Sequence, residues 1–282
     1  MKVLSTPRDM YEWSREQSQL GNSIGFVPTM GALHKGHMAL LEQSKAQCDV
    51  TVLSIFVNQT QFTNDEDFVL YPRTEMEDLA LAELLQVDVV YMPSPESMYP
   101  AGYSTSITAG SIAESMEGEF RPGHFAGVAT VVVKLLNAVQ PTVMFLGQKD
   151  FQQVAVLRRI VQDLNFSCSV QAVPTIRAEN GLALSSRNSR LSPADVSNAS
   201  HIFVAMCTAR DIVASGETNA EVVITATRKV IDQIDNCVIE YVAIVEPNTL
   251  TSVESITGEV VICIAAIVGG VRLIDNMVLD IA

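Results

Sequence analysis

Pro28-Thr29-Met30-Gly31-Ala32-Leu33-His34-Lys35-Gly36-His37 is the most informative segment of the chain, and we call it the histidine loop. It follows the apolar run 24–27, which has the composition of a buried strand, and it precedes residues 38–45, where Met38, Leu41 and Lys45 lie on one helical face. The histidine loop therefore joins a strand to a helix. In an open α/β sheet, loops of this kind lie at the carboxyl ends of the strands, where ligands bind.

The two histidines of this loop indicate a phosphate site. His34 lies just before the helix and His37 lies in its first turn, where unpaired backbone N–H groups and a partial positive charge suit an anion. Gly31 and Gly36 allow tight backbone geometry and close approach of a ligand. A lone histidine here would be explained by capping or packing, but the pattern His-x-Gly-His resembles the nucleotide-binding signature of the nucleotidylyltransferase superfamily.

Composition excludes several classes of protein. The chain has 282 residues, 48% of them hydrophobic and 18% charged, which fits a compact soluble protein with two domains and a large core. No apolar run reaches the roughly 18 residues that a membrane helix needs. The first nine residues lack the apolar segment of a secretory signal. We therefore expect a cytoplasmic protein without a membrane partner.

The cysteines and the net charge exclude further classes of protein and of ligand. The five cysteines are odd in number, far apart and without a Cys-x-x-Cys motif, which predicts reduced thiols and no tightly held metal. The net charge of −14 disfavours nucleic-acid binding. Positive charge is nevertheless concentrated at Arg177, Arg187 and Arg190, so a small anionic substrate fits, and we expect the second domain to close over it.

The order of the predicted elements indicates an α/β protein with a Rossmann-like, doubly wound parallel sheet in residues 1–175. Beyond the boundary the pattern changes to a smaller α+β domain in residues 176–282. The elements predicted for the first domain are helices 9–20, 75–86, one carrying Val131 to Val139, and 151–164, with strands 24–27, 50–58, 87–92, 143–146 and 169–174. Those of the second are helices 193–215 and 219–235 and strands 238–245, 260–268 and 271–276.

Further sequence blocks resemble one family over most of the chain. The blocks are Ser54–Asn58 with Gln61-Phe62, Arg121–Phe125, Gly147–Gln153, Gly181–Asn188 and Arg272–Asn276. Together with the histidine loop they resemble the pantothenate synthetases, the pantoate–β-alanine ligases. The resemblance implies a homodimer with a Rossmann-like first domain. It also implies an enzyme that joins pantoate to β-alanine with ATP and Mg²⁺, through a pantoyl-adenylate, and releases AMP and pyrophosphate.

The resemblance also implies roles for individual residues. The residues that it assigns to ATP are Met30, Gly31, Ala32, Leu33, His34, Lys35, Gly36, His37, Gly147, Gln148, Lys149, Asp150, Ile176, Leu184, Ser185, Ser186 and Arg187. Those that it assigns to the other substrates are Asn58, Gln61, His124 and Gln153. Catalysis falls to His34, His37 and Lys149, with His37 as the proton donor.

Two positions depart from the family pattern. Gln59 stands where a proline is usual, so the turn after Asn58 lacks the restriction on φ that proline gives. Leu146 replaces a common phenylalanine before Gly147, which affects packing under the nucleotide. Neither change removes a reactive group.

The chemistry of these residue types agrees with carboxylate activation by ATP. Charge develops on the α-phosphate and on the departing pyrophosphate, and Lys149 and the two loop histidines are suitable donors. Gln61 and Gln153 are neutral, so they can hold a hydroxy acid without a salt bridge that would weaken its nucleophilic carboxylate. Asp150 has two readings, a cap for the following helix or a contact to Mg²⁺ that arrives with ATP.

Two other functions remain open at this level. One is a nucleotidylyltransferase that makes a dinucleotide-like product, which shares His-x-Gly-His but needs a phosphate acceptor. The other is a non-catalytic nucleotide sensor, which would not need the chemistry of Lys149 or His37.

Overall fold

A computed structural model describes residues 1–280, and the chain divides into two compact units. The first unit contains Met1–Gly147 and Val156–Pro174. The second contains Gln148–Ala155 and the chain from Thr175 onward. The stretch Gln148–Ala155 lies before the boundary that the sequence suggests near residue 175.

Strands and helices alternate through the first unit. The strands are β1 (Lys2–Leu4), β2 (Ile24–Thr29), β3 (Val50–Ile55), β4 (Val89–Tyr91), β5 (Val143–Gly147) and β6 (Ser169–Val173). The helices are α1 (Pro7–Gln19), α2 (Lys35–Gln47), α3 (Asp65–Val69), α4 (Glu75–Leu84), α5 (Pro95–Met98), α6 (Glu117–Phe120) and α7 (His124–Val139), followed by α8 (Phe151–Asp163), which starts in the second unit. Short 3-10 turns lie at Gln59–Gln61 and Gly110–Ala113.

The six strands form one parallel sheet in the order β1-β4-β3-β2-β5-β6, which confirms the predicted fold class. From β2 the chain proceeds to β3 on one side, and β5 pairs with β2 on the other. The order therefore reverses at β2, and the crevice at a reversal point is where doubly wound sheets bind ligands. The histidine loop leaves the carboxyl end of β2, so the topology places it at that crevice.

The core of the first unit lies between the sheet and its helices. Strand residues Val27, Leu53 and Phe145 pack with Leu41 of α2 in one buried cluster. A Cβ added at Gly25 would collide with the side chain of Ser44, so α2 sits close against β2. This close packing holds α2 against β2, the two elements that the histidine loop joins.

Several predicted boundaries are wrong by a few residues. The strand predicted over 50–58 ends at Ile55, and Asn58 is instead the residue before the 3-10 turn Gln59–Gln61. The strand predicted over 87–92 is reduced to Val89–Tyr91. The three-residue strand β1 was not predicted, since so short an edge strand carries no periodic signal.

The second unit is an α+β structure with an antiparallel sheet, as predicted. Its elements are α9 (Pro193–Ala214), α10 (Ala220–Ile231), β7 (Cys237–Val245), β8 (Val260–Val268) and β9 (Val271–Leu279), with 3-10 turns at Gln148–Asp150 and Ser186–Arg190. Ser192 caps α9 with Pro193 at its first position, and Asn219 caps α10. Apolar residues of both helices and all three strands form one core. No helix within residues 1–280 is long and apolar enough to span a membrane.

Candidate functional site

His34 and His37 interlock at the start of α2. His34 is the N-cap, and its Nδ1 accepts a hydrogen bond from the backbone N–H of Gly36 at 3.1 Å. The backbone N–H of His34 donates in turn to Nδ1 of His37 at 3.2 Å, and the two ring centroids are 4.1 Å apart. Because both Nδ1 atoms accept, each neutral ring carries its proton on Nε2. The capping role and the proposed role as phosphate donors therefore use different ring atoms.

A buried carboxylate holds the backbone of the histidine loop. Gly31 has φ 78° and Ala32 has φ 49°, in the left-handed region. Asp78 of α4 accepts hydrogen bonds from the backbone N–H groups of Ala32 at 2.9 Å and Leu33 at 2.8 Å, and its side chain also accepts one from Thr74. A Cβ added at Gly31 would lie 2.9 Å from a carboxylate oxygen of Asp78, so glycine is required there.

Sequence reasoning missed Asp78. An acidic residue in the first turn of a helix is ordinarily explained by the helix dipole, and Asp78 shares that turn of α4 with Glu75 and Glu77. Only its burial distinguishes it: Asp78 is 3% exposed. No pattern in the chain signals that difference.

Asn58 and Gln61 meet Met30 at the end of β3. Asn58, which is 1% exposed, donates from Nδ2 to Oε1 of Gln61 at 3.1 Å, and Nε2 of Gln61 lies 3.2 Å from Sδ of Met30. Oδ1 of Asn58 accepts hydrogen bonds from the hydroxyls of Tyr99 at 2.8 Å and Thr60 at 2.9 Å. This network fixes the Gln61 carboxamide next to the first residue that the resemblance assigns to ATP.

Helix α7 packs against the turn Gln59–Gln61. A Cβ added at Gly127 would lie 2.7 Å from the backbone nitrogen of Gln61, so the helix and the turn are in close backbone contact. His124, at the start of α7, has Nδ1 2.7 Å from the carbonyl oxygen of Gln61 and Nε2 3.2 Å from Nη1 of Arg121. A carbonyl only accepts and a guanidinium only donates, so Nδ1 of His124 carries the proton. Both ring nitrogens thus face protein atoms.

Gly147 ends β5 in the first unit, and the remaining predicted residues lie in the second unit. Lys149, in the 3-10 turn before α8, has its Nζ 3.6 Å from Oδ1 of Asp150. The lysine side chain is 17% exposed and the aspartate side chain 47% exposed. Gln153 follows in the first turn of α8 and is half-buried. Asp150 ends the turn that leads directly into the helix, which agrees with a position at the helix start.

The segment from Ile176 to Arg187 forms a short hairpin followed by a turn. The backbone of Leu184 donates to the carbonyl of Ile176 at 2.9 Å, and Ser185 caps the turn Ser186–Arg190 by accepting from the backbone of Arg187 at 3.3 Å. The predicted ATP residues Ile176 and Leu184–Arg187 are thereby adjacent in space.

We expected Arg177 to contribute to a cluster of positive charge that binds an anionic substrate, but it pairs with a carboxylate of its own unit. Its Nη2 donates to Oδ1 of Asp275 at 3.0 Å, and its guanidinium carbon lies 4.4 Å from the ring centroid of Phe203. A second bond from Nη1 makes the pair with Asp275 bidentate. Arg177 is therefore a structural residue of the second unit, and the sequence could not reveal a partner so far along the chain.

The predicted residues thus form two sets, one in each unit. The first unit joins the histidine loop with Asn58, Gln61 and His124; the second joins Lys149 and Asp150 in one turn, and Ile176 with Leu184–Arg187 in another. Within residues 1–280 no group of three or more histidines, cysteines or carboxylates is placed to hold a metal ion.

Comparison with known proteins identifies relatives along the whole length. A family model described as Pantoate-beta-alanine ligase matches residues 2–278. The chain is 44% identical over 281 residues to the pantothenate synthetase of Heliobacterium modesticaldum, covering 100% of both chains. It is 44% identical over 284 residues to that of Acetivibrio thermocellus, again covering 100% of both.

Solved structures agree. The crystal structure of pantothenate synthetase from Thermus thermophilus is similar with a TM-score of 0.92 and 38% identity, covering 98% of this chain and 99% of that one. Pantoate-beta-alanine ligase from Francisella tularensis, complexed with beta-gamma ATP and beta-alanine, is similar with a TM-score of 0.81 and 33% identity. That match covers 98% of this chain and 97% of the Francisella chain.

Proposed function

Because this chain belongs to the pantoate–β-alanine ligase family, we infer that it condenses pantoate with β-alanine in an ATP-dependent reaction, giving pantothenate, AMP and pyrophosphate. The observation that carries this conclusion is the family match over residues 2–278. It confirms the resemblance seen in the sequence. It also disfavours the two alternatives, because full-length similarity to ligases is not expected of a dinucleotide-forming transferase or a sensor.

In the proposed first step, pantoate attacks the α-phosphorus of ATP. A carboxylate oxygen forms the new P–O bond, and the bond to pyrophosphate breaks. The N-terminus of α2 offers backbone N–H groups and a partial positive charge to the phosphates. His34 and His37 add Nε2–H donors, since their Nδ1 atoms accept backbone hydrogen bonds. The proton-donor role of His37 is compatible with that tautomer.

Gln61 is proposed to hold pantoate. Its carboxamide is oriented by Asn58 and lies beside Met30, so it can reach a polar group without bringing a positive charge to the nucleophile. Gln153 is proposed for the same substrate on chemical grounds. For His124 we propose a bracing role, because its two ring nitrogens face Gln61 and Arg121 rather than open space.

Lys149 is proposed to stabilise the charge on the departing pyrophosphate. It is the cation of the turn Gln148–Asp150, and its carboxylate neighbour Asp150 lies close enough to orient the ammonium while competing weakly for it. Gly147, Gln148 and the turn around Ser185, Ser186 and Arg187 supply further N–H and hydroxyl donors.

In the second step, the amine of β-alanine attacks the carbonyl carbon of the pantoyl-adenylate. The C–N bond forms, AMP leaves with its oxygen, and the amine loses a proton. No cysteine or serine of the described site stands in a nucleophile–base arrangement that would favour an acyl-enzyme.

Mg²⁺ is proposed to enter as part of the nucleotide substrate. No cluster of three metal-ligating side chains exists in the described part of the chain, which fits an ion bound mainly through phosphate oxygens and water. Asp150, whose side chain is 47% exposed, is one carboxylate that could contact it. A homodimer is proposed from the family resemblance, and light scattering of the purified protein tests it. A cytoplasmic location is proposed from the composition, and the domain bounds 1–175 and 176–282 from the order of the predicted elements.

The decisive experiment follows the oxygen atoms. Pantoate labelled with ¹⁸O in its carboxylate is incubated with MgATP and β-alanine, and the nucleotide product is weighed. One ¹⁸O in AMP supports the adenylate route. Label in orthophosphate, with ADP formed, would overturn it in favour of an acyl phosphate. Pyrophosphate release with pantoate and ATP, but without β-alanine, separates the ligase from a nucleotide sensor, which would release none.

A further inference from the structure

The carboxamide of Asn276 spans two consecutive carbonyl groups of the Lys149 turn. Asn276 lies in β9 and is 4% exposed. Its Nδ2 donates to the carbonyl oxygen of Gln148 at 2.9 Å and to that of Lys149 at 2.9 Å. Both acceptors are backbone carbonyls, which cannot donate, so the NH₂ end of the amide must face them.

These two bonds restrain the backbone on both sides of Lys149. The carbonyl of Gln148 belongs to the peptide plane before the α-carbon of Lys149, and the carbonyl of Lys149 belongs to the plane after it. Peptide groups are planar, so anchoring both planes restrains φ and ψ of Lys149. The direction in which its side chain leaves the turn is thereby set from β9.

The amide is retained at a cost. Oδ1 of Asn276 is buried and has no hydrogen-bond partner within residues 1–280. A buried acceptor without a partner is destabilising, and an apolar side chain would avoid that penalty. The two donated bonds are what the amide provides at this position, and an apolar side chain of similar size could not make them.

The strand that carries Asn276 is itself anchored. The neighbouring Asp275 accepts a hydrogen bond from the backbone N–H of Asn276 at 2.8 Å and pairs with Arg177, which stacks on Phe203. Burial raises the pKa of the Asp275 carboxyl, and the bonds from Arg177 oppose that rise. The contact between Asn276 and the turn of Lys149 is therefore supported by the buried ion pair of Arg177 with Asp275.

We propose that Asn276 is a positioning residue that holds Lys149 in the orientation needed for phosphate-charge stabilisation. The inference rests on the catalytic role proposed for Lys149. In this role Asn276 acts through the turn, by the two bonds that it donates to the carbonyls of Gln148 and Lys149.

The test is a double-mutant cycle on pyrophosphate release. Asn276→Ala alone should lower kcat about 10-fold or more and change KM for β-alanine little, because the lysine is displaced from developing charge. In the Lys149→Ala background the same substitution should have almost no further effect on kcat. Multiplicative effects would overturn the proposal, since they would mean that Asn276 acts independently of Lys149.

Control variants distinguish the positioning role of Asn276 from a general effect on folding and from the catalytic role of Lys149. Asn219→Ala removes the cap of α10 in the same unit and should lower Tm while leaving kcat unchanged. If Asn276→Ala does not fold, Asn276→Thr replaces it in the cycle, since threonine suits a strand but its single donor cannot bond both carbonyls. If Lys149→Ala retains full turnover, the proposed catalytic role of Lys149 is wrong. If Lys149→Ala is impaired and the two substitutions have multiplicative effects on kcat, only the positioning role of Asn276 is wrong.

Discussion

The carboxylate of Asp78 lies 2.9 Å from the backbone nitrogen of Ala32, a residue held at φ 49°. A non-glycine residue in the left-handed region is strained, and it keeps that conformation only where its surroundings hold it there. Asp78 is buried and accepts the next N–H of the loop as well. The histidine loop thus depends on a carboxylate from a different helix.

Asp78→Asn should therefore loosen the histidine loop. An amide has one acceptor oxygen in place of two, so one loop N–H would lose its partner, at a cost of about 1–3 kcal/mol. We expect a lower free energy of unfolding in urea and a higher KM for ATP. Glu75→Gln, in the same turn of α4 but exposed, is the matched control. Unchanged stability and an unchanged KM for ATP in the Asp78→Asn variant would show that the loop holds its own conformation.

Lys149→Ala should lower the rate of adenylation by about 10²-fold or more, because it removes a cation from a transition state that develops phosphate charge. Folding should survive, since the side chain lies in a turn and is not part of an apolar core. Single-turnover pyrophosphate release measures the effect, and Lys229→Ala on the exposed face of α10 is the control. Wild-type turnover in the folded Lys149 variant would make this lysine a bystander.

Gln61→Ala and Gln153→Ala should each weaken use of pantoate by about 1–3 kcal/mol, because a buried polar group of the substrate would lose its partner. Binding of ATP should change little. Gln59→Ala offers a control within the turn of Gln61, since Gln59 is exposed. KM values for pantoate and ATP, measured separately for each variant, decide the assignment; an equal loss of ATP affinity would move these glutamines to the nucleotide site.

Cys168 should make the protein less stable in alkali. Burial raises the pKa of its thiol from 9.0 to about 11, and the thiol donates to the carbonyl of Ser169. Between pH 9 and pH 11 the folded chain keeps a proton on this thiol that the unfolded chain releases. The contribution of the thiol to the free energy of unfolding is therefore fully present below pH 9 and is lost as the pH rises toward 11. We expect this loss to lower the free energy of unfolding by about 2–3 kcal/mol.

Urea unfolding at pH 7.5 and pH 10.5 measures this effect. Cys168→Ala should lose less stability between the two pH values than the wild type does, while the difference at pH 7.5 alone reports the packing cost of the substitution. Parallel loss in both proteins would assign the alkaline transition to other groups, such as Tyr91, whose pKa burial raises to about 12.

Local sequence patterns were enough to predict the order of the elements, the α/β class and the place of the histidine loop. These depend on neighbouring residues: apolar periodicity sets a strand or a helix, and His34 caps a helix whose first turn contains His37. Leu146 shows the tolerance of such patterns, since it departs from the family residue and is still buried at the end of β5. The family resemblance carried the function, because its sequence blocks occur in order along the chain.

The tertiary structure alone decided which polar residues support those that carry the chemistry. Asp78 reaches the loop across 46 residues, and Arg177 finds Asp275 across 98. Asn276 reaches Lys149 from a strand 127 residues away. In the sequence each of these is an ordinary polar residue, because charge and hydrogen-bonding capacity are local properties whereas burial and partner are not. Their roles follow only from the distances that folding creates.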